Sequence, residues 1–137
     1  MRVFLTGVWQ DGSTRASTVP LDPRKSLVLA RGESVEVVID VVTAGGVSVD
    51  VRPSTTKSVV FTMRRTTDDG WKLTKTGVYA PPDPPNRVTL EITPADTKPR
   101  EPGRYVYDVW LLDSGDSSRT VLLGTSPFVL TPSVTWP

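Results

Sequence analysis

Residues 86–93, NRVTLEIT, set Val88, Leu90 and Ile92 against Arg87, Thr89 and Glu91. An apolar residue at every second position is the period of a strand with one face on a core and one face in water. The same period recurs along the chain. ESVEVVIDVV (33–42) puts Val35, Val37, Ile39 and Val41 on one face, with Glu36, Val38, Asp40 and Val42 on the other. KSVVFTMRR (57–65) aligns Val59, Phe61 and Met63, and RYVYDVWLLD (104–113) aligns Tyr105, Tyr107, Val109 and Leu111. Shorter runs at 3–9 and 26–30 read as strands ahead of these, and RTVLLGTSPFVL (119–130) closes the series. Gly124 and Pro127 within it predict a bulge or an edge, because glycine packs nothing and proline donates no ladder hydrogen bond.

Turn chemistry separates the runs. TAGGVS (43–48), TTDDGW (66–71), PPDPPN (81–86) and DSGDSS (113–118) are rich in residues that tolerate or impose turn geometry. Asp69-Gly70 predicts a hairpin turn, and the prolines of 81–85 predict a stiff crossover. Thr93-Pro94 predicts a single helical turn, with Thr93 as N-cap and Pro94 in the first helical position. No segment supports a longer helix. Short strands at this spacing predict an all-β fold, an immunoglobulin-like antiparallel β-sandwich of about seven to nine strands. Residues 1–31 are expected to form an N-terminal strand and arm, and 32–137 the sandwich, in one globular domain overall.

Several functional classes lose their usual supports. Sixteen basic and fifteen acidic residues leave a net charge of +1, without the basic excess of a nucleic-acid binder. No apolar run approaches the length of a membrane span, and the opening MRVFLTGVW is too short for a secretory h-region. There is no Cys and no His, so disulfide, thiolate and imidazole chemistry are absent. AGGV lacks the Lys-Ser/Thr of a phosphate loop. Asp113 and Asp116 lack the ligand density and spacing of a calcium loop and read as a solvated turn. The expectation is a protein that is not an enzyme, with no cofactor and no metal.

The aromatic residues divide into two groups. In PGRYVY (102–107), Tyr105 occupies the place of the tyrosine that opens a late strand in immunoglobulin-like sandwiches and caps a nearby corner through its hydroxyl. Tyr107, Val109 and Phe61 then belong to the core. Trp9 and Trp136 stand near the chain's ends and read as contacts to neighbouring subunits. Four tryptophans also raise a carbohydrate-binding module, which requires two or more of them coplanar on one sheet face. A bacterial adhesin domain is the remaining alternative.

The stretch from Gly32 to Trp136, about three quarters of the chain, resembles the N-terminal domain of phage baseplate upper proteins. The matching elements are RGESVEVVIDV with VSVDV, VVFTMRR, DDGWKLTKTG, VTLEITPADT, and PGRYVYDVWLLD with its closing GTSPFVLTPSVT. The first thirty residues have no counterpart in that pattern. The resemblance implies an immunoglobulin-like structural protein of a phage virion, made in the host cytoplasm, in the tail or baseplate or as a head decoration or connector. It implies partners among other virion proteins and copies of itself, with a host surface glycan as a further one, and neither nucleic acid nor membrane. The expected assembly contacts are Phe4, Trp9, Pro20 and Pro23 in the N-terminal strand and arm, and Val134 and Trp136 in the C-terminal tail.

Overall fold

A computed structural model describes residues 2–9, 26–65 and 70–132. Its strands are β1 (Arg2–Trp9), β2 (Leu27–Ala30), β3 (Val35–Thr43), β4 (Lys57–Arg65), β5 (Lys72–Thr76), β6 (Arg87–Ile92), β7 (Gly103–Asp113) and β8 (Ser118–Thr131). One helical turn, α1 (Pro94–Thr97), lies between β6 and β7. The strands form two sheets, β1-β3-β6 and β2-β8-β7-β4-β5. The chain is an all-β sandwich.

The alternating residues meet between the sheets. Val35, Val37, Ile39 and Val41 of β3 and Val88, Leu90 and Ile92 of β6 are buried from one side. Val59, Phe61 and Met63 of β4, Tyr105, Tyr107, Val109 and Leu111 of β7, and Phe128 and Leu130 of β8 are buried from the other. The rings of Phe61 and Tyr107 stack with centroids 5.3 Å apart, and Phe128 meets Tyr107 edge-on at 6.4 Å. These rings supply large apolar area in a fixed geometry.

Antiparallel pairing holds for β3–β6, β4–β5, β4–β7 and β7–β8. The two N-terminal strands depart from it: β1 pairs parallel to β3, and β2 pairs parallel to β8. The first thirty residues therefore place one strand in each sheet. Parallel neighbours need a long connection rather than a tight turn, and β1 and β2 have such a connection to their partners. Pro127 lies one residue before the β2–β8 ladder begins at Leu27–Phe128, so its missing N–H falls at the ladder's end.

Two bulges interrupt the β7–β8 ladder, between the Tyr107 and Val109 pairings and between those of Val109 and Trp110. Extra residues on one strand break the strict alternation. Leu122 and Leu123, although consecutive, are both buried. Gly124 and Thr125 form the surplus opposite Asp108.

Two further features tie the sheets together. After β5 the chain crosses to the other sheet, with Gly77 N–H donating to the Val59 carbonyl and Val78 bridging Thr89 of β6. Gly77 passes so close to β6 that a Cβ there would lie 2.5 Å from Val88 Cγ2. At α1, the Asp96 carboxylate accepts from Thr93 N–H at 2.8 Å and Thr93 Oγ1 at 3.0 Å, and pairs with Lys75 Nζ of β5 at 2.9 Å. Burial works against this carboxylate's charge, but the Lys75 and Thr93 donors outweigh it and hold its pKa below the ordinary value.

Candidate docking surfaces

The sandwich presents two outward faces and a rim. Tyr105 is buried, and its hydroxyl donates to the Glu101 carbonyl at 2.7 Å. The chain is thereby pinned just as it enters β7. Trp71 meets the Tyr105 ring edge-on at 5.6 Å, Arg100 lies over Trp71 at 4.8 Å, and Arg65 lies over Tyr105 at 5.4 Å. Arg65 also reaches Glu101 at 3.2 Å. Arg65 and Arg100 thus cover an aromatic cluster. Tyr107 sits deeper; burial pushes its phenol up to about 12, against a smaller opposing effect from the Ser126 hydroxyl. Val109 and Phe61 are fully enclosed.

The sequence-predicted contact residues separate. Phe4 stands on the outward face of β1 with 51% of its surface exposed and the Arg2 guanidinium 5.6 Å from its ring centre. Trp9, at the other end of β1, is half-buried and packs against the core cluster. Pro20, Pro23, Val134 and Trp136 lie outside the described residues. The three described tryptophans do not share a face: Trp9 packs inward from β1, Trp71 turns to Tyr105, and Trp110 faces outward from β7. The coplanar pair that a carbohydrate-binding module requires is not formed among them.

Phe4 belongs to the outward face of the three-stranded sheet. Val38, next to it in register, is buried although it points outward, and Thr89 follows on β6. Charged residues surround this apolar strip. Arg2 pairs with Glu36 at 2.6 Å and Arg87 with Asp40 at 2.7 Å. Glu91 on β6 is exposed. Among the described residues, three carboxylates against two guanidinium groups give this face −1.

The outward face of the five-stranded sheet is hollow beside the β8 bulge at Gly124–Thr125. A trough of about 530 Å³ opens there, floored by Val60, Trp110, Leu112 and Val121. Arg64, Lys72 and Arg119 stand around it, and Arg119 lies over the Trp110 ring at 5.6 Å. Asp108 lies at its base, only 7% exposed. One carboxylate oxygen pairs with Arg64 at 3.2 Å; the other, Oδ1, is buried with no hydrogen-bond partner. A buried carboxylate oxygen without a donor is costly. Among the described residues, three cations against one carboxylate give the trough +2.

Sequence reasoning missed the trough. Asp108 reads as an ordinary polar position on an alternating strand, and the signal that could have singled it out is non-local. It lies in the Gly124–Thr125 bulge across the ladder and in Arg64 on the neighbouring strand. By contrast, the DSGDSS carboxylates are committed to their turn. Asp113 accepts from the Thr56 hydroxyl and Gly115 N–H, which hold its pKa below the ordinary value, and Asp116 accepts from Ser118 N–H. Among the described residues, no three metal-ligating side chains gather.

No known family pattern matches the chain. No curated protein matches it in sequence. Solved structures do. The N-terminal domain of phage TP901-1 ORF48 aligns over 96% of this chain and 98% of its own, with TM-score 0.51 and 11% identity. The cysteine protease inhibitor EhICP2 from Entamoeba histolytica aligns over 94% and 96%, with TM-score 0.41 and 8% identity. The first alignment shows a shared fold along essentially the whole of both chains.

Proposed function

We propose that this chain is a structural domain of a phage particle, working through protein–protein contacts. The observation that carries the reading is the end-to-end fold likeness to a domain of a phage protein. Fold alone is an analogy, and the chemistry of the chain supports the same direction. It has no imidazole and no thiol, and among the described residues its carboxylates are largely engaged in ion pairs and turns.

In this reading the protein is made in the host cytoplasm and built into the virion, in the tail or baseplate or on the head. Its work is to pack against neighbouring subunits over areas of about 800 Å² per partner. Phe4 and the segments carrying Pro20, Pro23, Val134 and Trp136 are the proposed contact carriers, with Trp9 supporting β1 from beneath. Its partners are other virion proteins and its own copies.

Mass spectrometry of purified particles from the phage encoding the chain tests this. The expected result is the protein at a fixed copy number per particle; its absence overturns the reading. Removing residues 132–137 is expected to leave the circular-dichroism melt of the domain nearly unchanged and to lower incorporation into particles. Full incorporation of the shortened chain would remove the C-terminal tail from the set of contacts.

A further inference from the structure

The two outward faces are complementary to each other. The trough on the five-stranded sheet is an apolar hollow whose described charged residues sum to +2. The outward face of the three-stranded sheet is an apolar projection at −1, with Phe4 at its crest and the Arg2–Glu36 pair beside it. The geometry points to a second copy of this chain as the occupant of the trough, with its Phe4 over the Val60–Trp110–Val121 floor.

The polar groups around each feature match in the same sense. Among the described residues, exposed Glu91 has no cation partner, and Arg119 and Lys72 have no carboxylate partner, so this carboxylate and these cations are available to one another across the contact. A trough-to-trough contact would oppose two faces of +2, whereas trough-to-projection contact opposes unlike charges. Because the two faces lie on opposite sides of the sandwich, each copy donates one and receives on the other. Such a contact is heterologous and propagates into a ring or a filament.

This inference deepens the assembly reading above, and its test uses the purified chain. Failure here therefore leaves particle membership to be decided by particle composition. Sedimentation over about 1–500 µM is expected to show a weight-average mass that climbs with concentration. Phe4→Asp closes the projecting face, and Arg119→Glu closes the trough. Both sites are exposed, and each variant is expected to keep its melting curve while lowering self-association at least about tenfold. Lys72→Glu provides a second trough variant.

The decisive measurement mixes the two. The Phe4→Asp copy keeps its trough, and the Arg119→Glu copy keeps its Phe4. Together they are expected to form a one-to-one heterodimer that grows no further. A wild-type chain that stays monomeric throughout overturns the inference, including one whose trough instead binds a saccharide on a glycan array. So does association that survives both substitutions, or a mixture that fails to pair.

Discussion

The inner layer of this sandwich and its outward faces are built on opposite rules. Inside, every strand contributes residues to one cluster, and the polar atoms that enter it are hydrogen-bonded: Tyr105 to Glu101, Asn86 to the Val41 carbonyl. Outside, apolar groups stand exposed at Phe4 and Val121, and Asp108 Oδ1 is buried without a donor. The inner layer is complete by itself, and the outer faces are not. In the proposed reading, stability and recognition fall on opposite sides of the same side-chain alternation, so one residue step along a strand would move a substitution from one role to the other.

The largest test of that separation is in the core. Phe61→Ala removes a ring that is fully buried and stacked on Tyr107. A loss of about 3–5 kcal/mol is expected in chemical denaturation. A loss below about 1 kcal/mol would mean that the inner layer is not the source of stability. Next in size is Gly77→Ala. The added Cβ would meet the Val88 side chain at 2.5 Å from Cγ2 and 2.8 Å from Cβ, and overpacking of this kind costs about 1–3 kcal/mol. Its effect should appear in the melt, because Gly77 is where the chain passes between sheets.

Tyr105→Phe is a smaller change, since it keeps the ring and deletes only the donor to Glu101. The expected cost is about 1–1.5 kcal/mol, read in the same denaturation series. This residue shows what local pattern can reveal. Its place in PGRYVY and the alternation through Leu111 were enough to assign it inward, and Thr93-Pro94 was enough to locate α1. At Gly124 and Pro127 local pattern offered a bulge or an edge; the bulge is present, but β8 is not an edge because it lies between β2 and β7. Local pattern did not reveal the parallel pairing of β1 and β2, because partner choice depends on residues far away in the chain. Nor did it reveal the trough. That hollow needs β4, β5, β7 and β8 in register, with a bulge putting Leu122 and Leu123 on the same side. An aspartate on the outward positions of a strand looks solvated until the neighbours that bury it are known. For the four contact residues at 20, 23, 134 and 136, outside the described residues, the sequence reading stands as a proposal.

The smallest effect concerns Asp96, which belongs to neither the inner layer nor an outward face but joins the sheets at their rim. Its folded-state pKa lies below the ordinary 3.8 because the Lys75 and Thr93 donors favour the charged form over the opposing cost of burial. A depressed carboxylate pKa stabilises the fold above the unfolded-state value and loses that contribution as pH falls through the folded-state value. Wild-type stability should therefore carry the full contribution at pH 5–7 and shed it as pH drops below about 4. Asp96→Asn removes the charge at every pH. The variant is expected to be less stable by up to about 1 kcal/mol at neutral pH, and the gap should narrow below pH 4. A gap that is constant from pH 7 to pH 2.5 would show that Lys75 contributes nothing through Asp96's charge. The rim would then be held by the backbone crossing at Gly77 and by the Thr93 cap geometry alone.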